Sequence, residues 1–273
     1  MRAMFDKERS RQLLEALGAP LPRQFRVIGE LSRLSPNDLT EPTVVKPTRS
    51  SNNRGVVALV PLGDGRWLDQ LTGYTLTFQE LTSRLNSERT TSGFADHWVS
   101  EELLRASDGA DRPVNDVKIS MFGAHMACSF VRSTDPRRYQ WFDHAWEKVD
   151  VGIHTKSLDS RINPPESAEQ LLQVARTIAA ALPLPYVRVD LYETDRGPVV
   201  GELTPLPGWY HSFNDEWDAR MGLLYEAREH QIFSRGMDWS SVSPPSLHAI
   251  FVKLGLAGSS ETPNDSRSPQ VHI

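Results

Sequence analysis

Arg188-Val189-Asp190-Leu191-Tyr192, a turn at Asp195-Arg196-Gly197, and Gly201-Glu202-Leu203-Thr204-Pro205 form a stretch that reads as a β-hairpin. Alternate residues of a strand share a face, so Arg188 and Asp190 point one way, as do Glu202 and Thr204 on the returning strand. The turn brings Asp190 and Glu202 close to opposite each other. Two unpaired carboxylates so placed repel and call for a cation between them. Hard oxygen donors without His or Cys point to Mg²⁺, with Mn²⁺ as the alternative, shared with substrate phosphates. The competing reading is a surface hairpin on which Arg188 pairs with Asp190 or Glu202. The Pro-rich exit at residues 204–208 would pin the chain end at a site.

Working outward, Thr43-Val44-Val45 is a β-branched run that stops at Lys46-Pro47 before a polar loop, Arg49 to Gly55, and the apolar run Val56 to Val60. A lysine at that strand end can hold a phosphate together with loop N–H groups. Gly63-Asp64-Gly65 marks a tight turn, and Thr77 with Glu80 resembles a capping box for a helix to Leu85, followed by a loop over residues 86–96. A short apolar piece covers residues 98–104. Residues 117–122 and 126–132 read as a hairpin around Gly123, residues 166–182 as an amphipathic helix, and residues 213–229 as a helix with Trp217, Met221, Leu224 and Tyr225 facing inward. Near the N-terminus, Leu13, Leu14 and Leu17 sit at helical spacing before Gly18, while residues 21–41 are rich in Pro, Ser, Asn and Asp and read as a connection. Hairpins mixed with separated helices predict α+β layers, not alternating βαβ units.

The chain has 273 residues, 39% of them hydrophobic, and a net charge of −5, which argues against disorder throughout and against a nucleic-acid or membrane-surface footprint. Its single cysteine, Cys128, excludes an internal disulfide and a thiolate metal cluster. Residues 1–20 lack the apolar core of a signal peptide and no run approaches the ~18 residues of a membrane span, so the expectation is a cytoplasmic protein without membrane insertion.

The order Val44-Val45-Lys46-Pro47, Ser100-Glu101-Glu102-Leu103-Leu104, Asp116-Val117-Lys118-Ile119, Arg188-Val189-Asp190 and Gly201-Glu202-Leu203-Thr204-Pro205 resembles the ATP-grasp enzymes. Within them it is most similar to the TupA-like group, associated with teichuronopeptide and cell-surface polysaccharide gene neighbourhoods, over residues 13–225. The resemblance implies two α+β subdomains, built of antiparallel sheets with flanking helices, that clamp ATP, and a carboxylate activated as an acylphosphate and attacked by an amine. Divided accordingly, residues 1–42 are an N-terminal helix and connection, 43–104 a nucleotide-clamping subdomain, 105–256 a subdomain with the metal site, and 257–273 a disordered tail. The resemblance also implies site roles. Lys46 and loop residue Ser51 would contact phosphate, and the backbone from Glu101 and Glu102 to Leu104 would hold adenine. Asp116 would meet the ribose and Lys118 would reach phosphate or the acyl substrate. Asp190 and Glu202 would hold two Mg²⁺, with Thr204 where most relatives carry Asn. Arg188 would stabilise the oxyanion. Apart from the resemblance, Arg132 at the end of the middle hairpin is placed to bind the acylphosphate or an acidic acceptor.

The loop after Lys46 departs from the Gly-rich pattern of such relatives, having Gly55 alone at its end, and Arg49 and Arg54 are its substitute charges. Cys128 is a bystander. Arg137 and Arg138 read as a solvated patch or an acceptor site, and Trp141, Phe142 and Trp146, with Asp143 and His144, as core or as a pocket lining. His125, His154 and His211 lack metal-ligand spacing, though His211 follows the metal hairpin. The leading expectation is a carboxylate–amine ligase using ATP and Mg²⁺ in a biosynthetic pathway for a surface polymer or a secondary metabolite. The alternatives are a phosphotransferase of the same fold and a non-catalytic nucleotide-binding or partner module. Small-molecule acid and amine partners follow from the first. A homo-oligomer is compatible with all three.

Overall fold

The computed structural model describes residues 7–50, 54–110, 112–133, 138–207 and 210–234. Two six-stranded sheets organise it, with every strand pair antiparallel. The first contains β1 (Gln24–Gly29), β2 (Thr43–Pro47), β3 (Val57–Pro61), β4 (Arg66–Asp69), β5 (Tyr74–Thr77) and β6 (Trp98–Glu102), in the order β1-β6-β2-β3-β4-β5. The second contains β7 (Asp116–Phe122), β8 (His125–Ser133), β9 (Arg138–Asp143), β10 (Lys148–Val149), β11 (Val187–Thr194) and β12 (Gly197–Thr204), in the order β10-β9-β8-β7-β11-β12. This is the α+β architecture that the hairpin pattern predicts.

Helix α2 (Phe78–Ser92) covers the first sheet, burying Leu81 and Leu85 against Val45, Val57, Leu59 and Trp98. It begins with the expected capping box: Glu80 N–H donates to Thr77 Oγ1 at 3.3 Å while Thr77 N–H donates to Glu80 Oε2 at 2.8 Å. The helix continues beyond Leu85 to Ser92 and closes at Gly93, whose φ of 71° is the left-handed cap. Residues 86–92, read as loop from their polarity, form an exposed helical extension that needs no apolar face. A second correction concerns residues 21–41. They supply β1 and two 3₁₀ turns, so the first sheet draws on chain preceding residue 43.

In the second sheet, strand alternation separates two faces. Val117, Ile119, Val187, Val189, Leu191 and Leu203 point to an apolar core closed by Leu171, Leu172, Ala175 and Ile178 of α3 (Ala168–Ala181) and by Leu13 and Leu14 of α1 (Lys7–Ala16). Asp116, Lys118, Arg188, Asp190, Glu202 and Thr204 occupy the other face. Half of that face is roofed by Trp217 and Met221 of α4 (Asp215–Ser234), packed with Trp141, Cys128 and Tyr186. Tyr225, expected to face inward, is instead exposed, because α4 buries only its N-terminal half. The proposed tail, residues 257–273, lies outside the described residues.

One register detail places the hairpin chemistry. The turn pairs Thr194 with Gly197, and Leu191 pairs with Val200, so a regular ladder would set Gly201 opposite Asp190. A bulge at Gly201 shifts the pairing by one and sets Glu202 there. A Cβ on Gly201 would lie 2.5 Å from Cε2 of the Tyr192 ring, so the bulge requires glycine. Gly201→Ala is expected to cost about 1–3 kcal/mol, the range for forced overpacking, measured by denaturant unfolding against the parent chain.

Candidate active site

The polar face of the second sheet and the first sheet share a cleft of about 360 Å³. Lys46 of β2 and Ala58 of β3 line one wall; Asp116, Lys118, Arg132, Asp190 and Glu202 line the other; Glu101 to Leu104, leaving β6, line the passage between them. Nine residues predicted from sequence therefore meet in one space. Arg188 and Thr204 adjoin it through Asp190. Ser51 lies outside the described residues.

Across the second sheet the register runs Glu202–Asp190–Lys118–Phe130–Trp141, so side chains on three further strands line up beside the hairpin pair. Asp190 is 3% exposed. Arg188 Nε donates to its Oδ1 at 2.6 Å, Arg188 Nη2 donates to its Oδ2 at 2.9 Å, and Lys118 Nζ also donates to Oδ2. Burial pushes the Asp190 pKa up, but Lys118 and Arg188 outweigh it and hold the carboxyl below its ordinary value. The network continues on both sides. Arg188 Nη2 donates to Thr204 Oγ1 at 3.0 Å, Lys118 Nζ lies 3.7 Å from Asp116 Oδ2, and Arg132 pairs with Asp116 directly across β7 and β8. Asp116, then burial, pushes the Tyr192 hydroxyl pKa well up, which keeps the phenol neutral. Asp190 is thus not an unpaired carboxylate: it pairs with Arg188, as the competing sequence reading has it, and also with Lys118, but on a buried face and not a surface one. Glu202, directly opposite, is exposed to the cleft.

On the facing wall Lys46 Nζ and Glu101 Oε2 form an ion pair at 2.5 Å. Glu101 pairs with Val44 in the ladder and Lys46 with Val99, so the two side chains are diagonal neighbours on one face. In the passage, Glu102 takes Arg23 N–H at 3.0 Å and Arg23 Nε at 2.9 Å, and pairs with Arg196 from the β11–β12 turn. Leu103 N–H donates to Pro42 O at 3.1 Å. Glu102 therefore ties the passage to the second sheet, and the Leu103 N–H is spent on the chain itself.

Other candidates lie elsewhere. Trp141 and Phe142 are core residues, Trp146 packs against the core, and Asp143 accepts from Ala145 N–H and Glu147 N–H to shape the β9–β10 turn. His144 meets Arg220 on α4, and His154 stacks on Tyr139 at 4.4 Å. Cys128 is fully buried, with its thiol pKa pushed up to about 12 by burial, which removes it as a nucleophile. Arg138 is exposed at the start of β9, and Arg137 lies outside the described residues.

Lys7, Arg84 and Tyr192 are among the cleft residues that the sequence reading does not assign to the site. Lys7 is the first described residue of α1. Arg84 holds Asp69 at 2.9 Å and Glu88 at 3.1 Å.

Asp190 and Glu202 are a donor set that fits a hard divalent cation, because Mg²⁺ in a nucleotide site takes one or two protein carboxylates and completes its shell with phosphate and water. Among the described residues no three His, Cys, Asp or Glu side chains converge as a closed metal cage. Asp190→Asn would leave Arg188 and Lys118 without their shared anion, a loss expected to lower stability by about 3–5 kcal/mol, read as the fall in unfolding free energy.

The fold has solved counterparts. D-alanine–D-alanine ligase from Bacillus anthracis superposes with a TM-score of 0.52 at 19% identity, over 85% of this chain and 70% of that one. The ATP-grasp ligase PsnB complexed with minimal precursor gives 0.43 at 16% identity, over 84% of this chain and 61% of that one. The D-cycloserine synthetase DcsG gives 0.44 at 15% identity, over 83% and 71%. No curated protein matches the chain. The TupA-like ATP-grasp family matches residues 27–225, well over half of the chain and all but one of the strands that build the cleft in full, and the protein belongs to that family.

Proposed function

We propose that this protein is an ATP- and Mg²⁺-dependent carboxylate–amine ligase. One observation carries the reading: Asp190 and Glu202 stand opposite each other on a charged sheet face that looks across a cleft to Lys46. A nucleotide with its metal brings both charge signs that such a cleft accommodates. In this proposal a substrate carboxylate oxygen attacks the γ-phosphorus and ADP leaves. The amine nitrogen then attacks the acyl carbon, loses a proton, and expels phosphate as the amide bond forms.

The parts divide the work as phosphoryl transfer requires, by positioning and charge neutralisation without a protein nucleophile. Lys46 leaves Glu101 to meet phosphate, and the ladder strand that carries it fixes the direction of approach. Asp190 and Glu202, with the Thr204 hydroxyl beside them, would hold Mg²⁺, which neutralises developing phosphate charge when bound. Lys118 exchanges Asp190 for substrate or phosphate oxygen. Arg188 is fixed through Nε and Nη2, and we assign the oxyanion of the tetrahedral intermediate to its remaining arm. Arg132 and Asp116 form the ribose and acyl-phosphate side, and Glu101 to Leu104 the adenine side, with Leu104 as an apolar contact. Ser51 belongs to the same phosphate loop. The substrates are a small acid and a small amine in a biosynthetic pathway in the cytoplasm. No described helix is long and apolar enough to cross a membrane.

Two outcomes are expected. A non-hydrolysable ATP analogue with Mg²⁺ at ~100 times its dissociation constant stabilises the parent chain by about 2.7 kcal/mol, read as a melting shift of several degrees that Lys46→Ala abolishes. No shift in the parent chain contradicts the nucleotide site. In a screen of acid and amine pairs by ADP release, Glu202→Gln keeps the fold and lowers turnover roughly 10²–10³-fold, the scale for removing one transition-state-stabilising group. Phosphate retained on a hydroxyl product would instead establish a phosphotransferase.

A further inference from the structure

Strand alternation carries the charged face of the second sheet on into aromatic side chains. One row across it runs Asp190–Lys118–Phe130–Trp141 and the next Asp116–Arg132–Tyr139, so each ends its charges on a cation and continues with a ring. Trp141 and Cys128, on two sides of Phe130, are buried beneath α4, whereas Lys118 and Arg132, on its other two sides, line the cleft. Phe130 and Tyr139 are themselves half-buried, so the surface they leave open adjoins the cleft where the cations stand. No carboxylate lies beyond Lys118 or Arg132 in either row.

The rings are fixed relative to one another. Phe130 packs against Trp141 with ring centroids 4.6 Å apart and meets Tyr139 edge to face at 6.1 Å. His154 stacks on Tyr139 at 4.4 Å, its plane within 10° of the phenol ring. Trp141 Nε1 donates to Ile153 O at 3.1 Å, which holds residues 153–154 over this face. His154 reaches the stack from a left-handed backbone with a φ of 60°, a conformation that is unfavourable for a residue with a Cβ and persists where the surroundings impose it. Burial lowers the His154 pKa, so at pH 7 the imidazole is neutral and the wall stays uncharged.

We propose that the acid substrate of the ligase is an aromatic carboxylic acid, whose carboxylate meets Lys118 and Arg132 while its ring packs on Phe130 and Tyr139. Adjacent strands stand about 4.8 Å apart, so a cation and the ring across from it suit a carboxylate joined to its own ring by a short aliphatic link. The charges agree with this direction. Lys118 and Arg132 take the anionic end, and the rings take the apolar end. A dicarboxylic or polyhydroxy acid would instead press a polar group against the rings without a partner, which is unfavourable. The inference rests on the ligase reading above and narrows its substrate. Phe130 and Tyr139 are specificity determinants with no assigned part in holding metal or phosphate.

The test is calorimetric binding of 3-phenylpropionate and of hexanoate to the full chain, each with and without an ATP analogue and Mg²⁺, repeated in Phe130→Leu and Tyr139→Leu. Leucine keeps an apolar side chain in place, and the melting temperature without ligand reports whether each variant folds. Tyr139→Leu probes the same surface from the neighbouring row if Phe130→Leu does not fold. The expected result is a roughly tenfold preference for 3-phenylpropionate in the parent chain, the scale of ring–ring contact, that falls towards unity in each variant while analogue affinity is unchanged. Equal affinity for the two acids in the parent chain overturns the proposal. So does binding of neither acid, or a preference that the folded variants keep. Failure of the nucleotide reading is distinguishable, because the parent chain would then not bind the analogue, while the acid preference measured without nucleotide would still decide the aromatic subsite.

Discussion

A carboxylate buried at the centre of a sheet face is expensive, by several kcal/mol, unless cations and hydrogen bonds surround it. Asp190 is such a group, and its partners come from two strands: Arg188 two positions along β11, and Lys118 directly across on β7. Both contacts require the β7–β11 register to be held, and the apolar side chains on the reverse of the same strands, clamped beneath α3, hold it. The bulge at Gly201 then adds Glu202 to the arrangement. The charged face and the packed core are two sides of one ladder, so the chemistry is as rigid as the core.

Within this face each charge has a neighbour of opposite sign, from Arg132 through Asp116, Lys118 and Asp190 to Arg188. Across the cleft Lys46 and Glu101 repeat the pattern. Such a surface is balanced against itself, and a ligand of one sign would leave half of it uncompensated. A metal-bound polyphosphate carries both signs and can exchange partners with lysines and carboxylates together. The passage between the sheets is held by Glu102, which bonds Arg23 beside β1 and Arg196 at the β11–β12 turn. That links the β1 side of the first sheet to the hairpin that carries Asp190.

Much of this is legible in local sequence chemistry. The capping box at Thr77 and Glu80, the run ending at Lys46, and the spacing of Asp190 and Glu202 are short-range signals, and each corresponds to a real element or pairing. What escaped depends on distant chain. β1 is an edge strand with two register irregularities along its one ladder, with β6, and its neighbourhood of Pro, Ser and Asn looks like loop. The far half of α2 is polar throughout, so only Gly93 marked its end. The pairing of Arg188 with Asp190 is legible two positions apart on one strand face and is present, whereas Lys118, the second cation on Asp190, lies 72 positions away and leaves no local signal. Lys7 and the engagement of Glu102 by Arg196 are likewise tertiary facts with no periodicity to announce them.

The most direct measurement is a crystal structure of the full chain with a non-hydrolysable ATP analogue and Mg²⁺. The account predicts the polyphosphate between Lys46 and the Asp190–Glu202 pair, with metal on those carboxylates and Lys118 moved off Asp190. A nucleotide bound elsewhere, or a cleft left with Lys118 and Arg188 still closed on Asp190 at saturating analogue, would contradict it.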